Sequence, residues 1–201
     1  MNYLAIDTSG KNLTVVIKKN TQIFTAYDEE CGVNHSVELM PRVEELLKRA
    51  DFNLKDADFL ACVVGAGSFT GIRIGVSTVK AMCFAFNKPI LSITSFDTLA
   101  YNVDGKVLAV IDAKHNGFYV CGYNDKKVVI EPSYVMREEL IKLSKGYKIV
   151  SATAIDGIDC EIVSVKDGLI RAIEHKQKEV SEDVETLVPL YVRKSQAEEG
   201  R

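Results

Sequence analysis

Three short segments carry residue types that could do chemistry. Asp7-Thr8-Ser9-Gly10 follows the apolar run Leu4-Ala5-Ile6. A carboxylate at a strand end, in a tight polar turn, can orient Mg²⁺ or a water beside a phosphate, and Thr8, Ser9 and the backbone can donate to the phosphate oxygens. The same four residues also make an ordinary Asx or Ser/Thr turn closing a hairpin. The second segment is Gly65-Ala66-Gly67-Ser68-Phe69-Thr70-Gly71-Ile72-Arg73-Ile74-Gly75. Gly65, Gly67 and Gly71 ahead of a helix let backbone amides converge on an anion at the helix N-terminus. Arg73 adds positive charge in the first turn, where the helix dipole disfavours it, and so points to an acidic partner or ligand. The segment is neither a Walker A loop, since Gly-Lys-Ser/Thr is missing, nor GxGxxG. Close packing is the competing reading: Gly71 and Gly75 lie one turn apart, and each glycine inside a helix costs about 1 kcal/mol against alanine. The third segment is Asp112-Ala113-Lys114. A second strand-end carboxylate facing Asp7 across a cleft would suit Mg-nucleotide chemistry; the alternative is turn chemistry ahead of Asn116-Gly117.

Metal-ligand spacing is missing. A metal-binding helix starting at His35 needs a second histidine one turn on, and that position is Leu39. His115 and His175 lack Cys or carboxylate companions at ligand spacing, and His35 is expected to cap the helix that follows it. Cys31, Cys62, Cys83, Cys121 and Cys160 form no CxxC pair and are odd in number. Cys62 and Cys83 lie in apolar runs, where free cysteine acts as a small hydrophobe. This reads as a protein of the reducing cytoplasm.

The elements that must position these residues follow from periodicity. Leu4–Ile6, Leu13–Ile17 and Gln22–Tyr27 read as a three-strand meander. A helix over 36–50 follows, with Val37, Met40, Val43, Leu47 and Ala50 as its apolar stripe and Leu39 and Leu46 widening it. Pro41 predicts a kink or a late start there. A strand over 58–64, a helix over 70–86, a strand over 90–94 and a short helix capped by Ser95 complete the half. Ala109-Val110-Ile111-Asp112 then repeats the motif Leu4-Ala5-Ile6-Asp7. Strands over 107–111, 118–123 and 128–131 follow, with a helix over 137–145 and a strand over 148–151. The signal past Ala152 is weaker: a strand over 162–165 and a helix over 169–178. The expected fold is α/β, a duplicated βββαβα order in two directly packed subdomains, 1–103 and 104–201, the second one reduced.

Composition agrees with a globular chain of 201 residues, 47% hydrophobic and 26% charged. No segment approaches the ~20 apolar residues of a membrane span, and Asp7 arrives before a signal-peptide core could form. The 25 basic and 28 acidic residues give a formal charge of −3. A nucleic-acid-binding domain carries a basic excess, so this chain is not expected to hold RNA alone.

The duplicated order resembles the actin, sugar-kinase and heat-shock-chaperone ATPase (ASKHA) superfamily. More specifically, Leu4–Ser9, His35-Ser36 with Leu39-Met40-Pro41, and Gly65–Gly75 resemble the bacterial TsaB/YeaZ family. Ile111–Lys114, Tyr119 and Pro189-Leu190-Tyr191-Val192-Arg193 resemble its second half and C-terminal ending. Ala66 departs from the family's usual proline, and Val63 from a further glycine. The resemblance implies a subunit of the machinery that makes threonylcarbamoyladenosine in tRNA, with a TsaD-like transferase and a TsaE-like ATPase as partners. It implies a non-catalytic dimerisation and activation role, with ATP and metal on the partners and none on this chain. Contact with tRNA would come only through the complex, and no membrane would be involved. On this reading Asp7, Thr8, Ser9, Gly65, Gly67, Arg73 and Asp112 are a vestigial nucleotide or anion site. Leu39, Val43, Leu46, Gly71, Gly75, Thr78 and Met82 would form the partner or homodimer face, flat enough for a partner helix to approach. The alternative is an autonomous ATP-dependent phosphotransferase or a glycoprotease-like (M22) metallopeptidase. Against it stand a short second half and the lack of a nucleophile–base pair or metal cluster.

Overall fold

The computed structural model describes residues 1–193. Two compact units emerge among the described residues, Met1–Ile93 with Ile173–Leu190, and Thr94–Ala172 with residues 191–193. The expected boundary at 103/104 is therefore corrected. The short helix after the fifth strand belongs to the second unit, and the chain returns to the first unit at Ile173.

In the first unit, β1 (Tyr3–Asp7), β2 (Leu13–Lys19) and β3 (Gln22–Asp28) form the expected meander. β4 (Phe59–Val63) and β5 (Ile90–Ile93) extend it to a five-stranded sheet of order β3-β2-β1-β4-β5. β1 pairs antiparallel with β2 and parallel with β4. The parallel pairs need crossover helices, supplied by α1 (His35–Ala50) and α2 (Phe69–Phe86). β1 and β4 are buried along their whole length, as strands central to a covered sheet must be. Leu4, Ile6, Leu13, Val15, Ile17 and Leu60 share one core with both helices.

α1 runs through Pro41 without a late start. Its buried stripe is His35, Leu39, Val43, Leu46 and Ala50, spaced by three and four. Val37 and Met40, expected inside, are 67% and 44% exposed. The stripe rotates because Leu39 and Leu46, rather than Val37 and Met40, fall in phase with Val43 and Ala50. α2 buries Gly71, Ile72, Gly75, Val76, Val79, Met82 and Cys83. It is also the one helix among the described residues that is long and apolar enough, by length and composition, to cross a membrane.

The second unit repeats the plan. β6 (Lys106–Asp112), β7 (Gly117–Asn124) and β8 (Lys127–Met136) form its meander, followed by α4 (Arg137–Leu143), β9 (Lys148–Ser151) and a two-residue β10 (Glu161–Ile162). The sheet order β10-β9-β6-β7-β8 is the first sheet's order read from the other end. This is the duplicated βββαβα architecture with a reduced second half. Leu108, Val110, Phe118, Val120, Val135 and Leu140 form its core. α3 (Ser95–Ala100) is capped by Thr94 rather than Ser95: Thr94 and Asp97 make a reciprocal capping box. Asp97 is buried and also accepts from the Tyr123 hydroxyl at 3.0 Å. α5 (Val165–Lys176) starts earlier than expected, with Ser164 Oγ accepting from the Asp167 amide at 3.2 Å.

Candidate functional site

The Asp7 turn and the glycine loop come together at the carboxyl end of β1. Asp7 and Ser9 are buried, and Thr8 is fully so. Asp7 Oδ1 accepts from the Ser9 amide at 2.8 Å and the Ser9 hydroxyl at 2.7 Å. Burial nonetheless raises the Asp7 carboxyl pKa above its ordinary value; the Ser9 bonds and His35 act in the opposite direction and are outweighed. Thr8 turns away from Asp7 and donates its hydroxyl to the Gly71 carbonyl at 2.7 Å.

The loop's glycines are explained by this turn. A Cβ on Gly67 would lie 2.2 Å from the Ser9 carbonyl oxygen, on Gly71 2.1 Å from the Thr8 carbonyl oxygen, and on Gly75 2.5 Å from Thr8 Oγ1. The Ser68 amide donates to Ser9 O at 2.7 Å, and Ser68 Oγ accepts from the Gly71 amide as the cap of α2. These groups are committed to contact within the protein. The glycines serve the approach of α2 to Thr8 and Ser9. Arg73 lays its guanidinium 3.9 Å from the centre of the Phe69 ring.

Asp112 belongs to the second unit. It is exposed and accepts from the Lys114 amide at 2.8 Å, with the Lys114 ammonium at 3.4 Å. That is the turn chemistry named as its alternative reading. Lys114, His115 and Asn116 complete the turn with positive φ.

His35 does not cap α1, and Asn34 at the cap position makes no side-chain cap bond. The His35 ring is buried, with Nε2 3.3 Å from the Asn12 carbonyl oxygen and Nδ1 without a partner. A carbonyl oxygen only accepts, so Nε2 is the donor in that contact. His35 lies in phase with Leu39 and Val43, on the buried side of α1. No group of three or more His, Cys, Asp or Glu side chains able to hold a metal occurs among the described residues. The described cysteines are free, with Cys62 and Cys83 in the first unit's core.

The expected partner face needs correction. Leu39, Val43, Leu46, Gly71, Gly75 and Met82 are buried within the first unit. They cover its sheet, and the two glycines are filled by Thr8. Of that set only Thr78 reaches the surface, half-buried. The outward sides of the same helices carry other apolar residues. Val33, just before α1, is 96% exposed, and Phe84 on α2 is 62% exposed. Ala81 and Ala85 are exposed beside Phe84. The signal for this face was present in Val33, Val37 and Met40, which follow one another at spacings of four and three.

Comparison with known proteins agrees with this architecture. Residues 27–166 match the family model described as TsaD, tRNA N6-adenosine threonylcarbamoyltransferase. The tRNA threonylcarbamoyladenosine biosynthesis protein TsaB of Bacillus subtilis is 29% identical, over 98% of this chain and 96% of that protein. TsaB of Escherichia coli is 30% identical over 61% of this chain and 55% of its own length. Among solved structures, a Pseudomonas aeruginosa protein described as similar to peptidase YeaZ superposes with a TM-score of 0.80 at 23% identity. That match covers 96% of this chain and 99% of the other. YeaZ from Pseudomonas aeruginosa gives 0.77 at 22% identity, covering 94% and 99%.

Proposed function

The chain belongs to the TsaB/YeaZ family, and from that premise we propose that it is a non-catalytic subunit of the machinery that makes threonylcarbamoyladenosine in tRNA. It acts by binding a TsaD-like transferase. The observation that carries this reading is the outward side of α1 and α2, where Val37, Met40 and Phe84 are exposed on helices whose other side already covers the sheet. Large apolar residues left exposed on the outward sides of helices that already cover a sheet mark a protein–protein surface. The same face joins two copies of the chain when the transferase is absent, so self-association and partner binding compete. The packed loop at Thr8–Ser9 supports a role without nucleotide chemistry of its own. ATP and metal then belong to the transferase and a TsaE-like ATPase, tRNA is reached through the assembled complex, and the work is done in the cytoplasm.

The test is a titration of the purified transferase from the same genome with wild-type chain and with Val37→Glu and Phe84→Glu variants. Truncating or charging a hot spot costs ≥2 kcal/mol, roughly thirtyfold in affinity. Each variant should lose that much while its far-UV circular dichroism matches wild type. A wild-type chain that does not bind the transferase, or that forms threonylcarbamoyladenosine without it, overturns the reading.

A further inference from the structure

We propose that Leu187–Leu190, the last residues of the first unit, form a clasp that holds the glycine loop against the head of α2. By doing so it fixes the helix whose outward side receives the partner; that last step rests on the function proposed above.

The clasp is anchored at three points, two of them upstream. Ser181 and Ile90 exchange amide–carbonyl bonds of 2.8 and 2.9 Å at the edge of β5. Glu185 pairs with Lys80 on α2 at 2.8 Å. Leu187 is fully buried in the core shared by α1 and α2. From there the chain reaches the loop. The Leu190 amide donates to the Val64 carbonyl at 2.7 Å, directly after β4. Val64 is held on its other group as well, donating its amide to Ile93 O at 2.8 Å.

The next residue, Gly65, has φ +113, and a Cβ there would meet Leu190 O at 2.8 Å and Ile72 Cδ1 at 2.7 Å. The loop is thus sandwiched between the tail and the first turn of α2, and only glycine fits both the conformation and the space. Beyond it, the Ser68–Ser9 and Thr8–Gly71 bonds lock the loop to the β1 turn. Leu190 supplies a backbone bond at the open end of this chain of contacts. Its removal frees the loop and the helix head while the buried Leu187 and the sheet stay in place.

Two substitutions in the full chain separate the bond from the side chain. Leu190→Pro removes the amide, and Leu190→Ala keeps it. Amide exchange over residues 65–73 should rise about tenfold in Leu190→Pro, as for a segment released to local opening, and far less in Leu190→Ala, which trims a side chain packed against the first unit's core but keeps the amide. Affinity for the transferase should fall about tenfold in Leu190→Pro alone. Unchanged exchange in Leu190→Pro overturns the clasp. Raised exchange with unchanged affinity overturns its link to the partner face. Should Leu190→Pro fail to fold, an amide-to-ester replacement that removes only the Leu190 N–H from the full chain reads the same amides. A wild-type chain that does not bind the transferase defeats the proposed function, and the exchange measurement still decides the clasp.

Discussion

Asp7 sits where burial and hydrogen bonding disagree about its proton. Two bonds from Ser9 favour the carboxylate, while full burial favours the acid and wins, so the native pKa is raised. A raised native pKa means the folded chain holds this proton more tightly than the unfolded chain does. The group's contribution to stability is then present below the ordinary carboxylate range, near 3.9, and is lost as pH climbs through the native value. Asn at position 7 keeps an acceptor for Ser9 and has no charge to bury. Asp7→Asn should therefore gain on wild type in melting temperature as pH is raised from about 4 to 8. A difference between the two proteins that stays flat across that range, or moves the other way, removes burial as the dominant influence. Gly71 offers a second residue-scale test. Alanine there gains about 1 kcal/mol of helix propensity but drives a Cβ to 2.1 Å from the Thr8 carbonyl oxygen. That oxygen is backbone and cannot swing aside, so overpacking of about 1–3 kcal/mol should win. Gly71→Ala should lower the melting temperature by several degrees, at about 2–4 °C per kcal/mol for a chain of this size. Gly75 likewise faces Thr8, at Oγ1, and not solvent.

α1 shows how much of an element can be legible while its rotation is not. Its span over 36–50 was readable within one residue, because apolar residues recur at helical spacing; in the structure Asp51 closes it in a left-handed conformation. Which residues face inward was harder, since Val37, Met40, Val43 and Leu47 make nearly as good a stripe as His35, Leu39, Val43 and Leu46. The sheet decides between them, and its surface is not written in the helix. A histidine in the inward stripe also hid the register. The meander, the repeat and the turn at Asp7 were legible for the opposite reason: each is fixed by neighbours in sequence. Thr94 was missed as the α3 cap because Ser95 beside it has the same chemistry; Asp97, three residues after Thr94, was the deciding signal. The contacts of Leu190 with Val64 and Gly65 join residues more than a hundred positions apart, which no local pattern encodes. The rotation of α1 makes a paired prediction. Leu39→Ala empties a buried site and should cost about 2–5 kcal/mol. Val37→Ala lies on the outer side and should stay within about 0.5 kcal/mol in denaturant melts. Equal losses at both positions would place the stripe wrongly.

At the scale of the whole molecule, charge sets what the chain can hold without a partner. Its formal charge is −3, and the strongest basic stretch, Lys142 to Lys148, is exposed as Lys142, Lys145 and Lys148. One of the three is already engaged, since Lys148 pairs with Glu161. Affinity for RNA rests mainly on neutralising phosphates and falls steeply with salt, each phosphate contact adding to the slope. Two free lysines on a helix end and its following turn supply few phosphate contacts, and the net acidic chain adds no overall attraction for a polyanion. Purified chain titrated into labelled tRNA should show no retention at about micromolar concentration in 0.15 M salt, and only a weak, salt-sensitive association at low ionic strength. Adding the transferase should restore retention, with a salt slope set by the partner's basic residues and unaltered by Lys142→Ala or Lys145→Ala in this chain. Sub-micromolar binding by the isolated chain in physiological salt would mean that it reads tRNA directly, and the subunit role proposed for it would have to give way to an RNA-binding one.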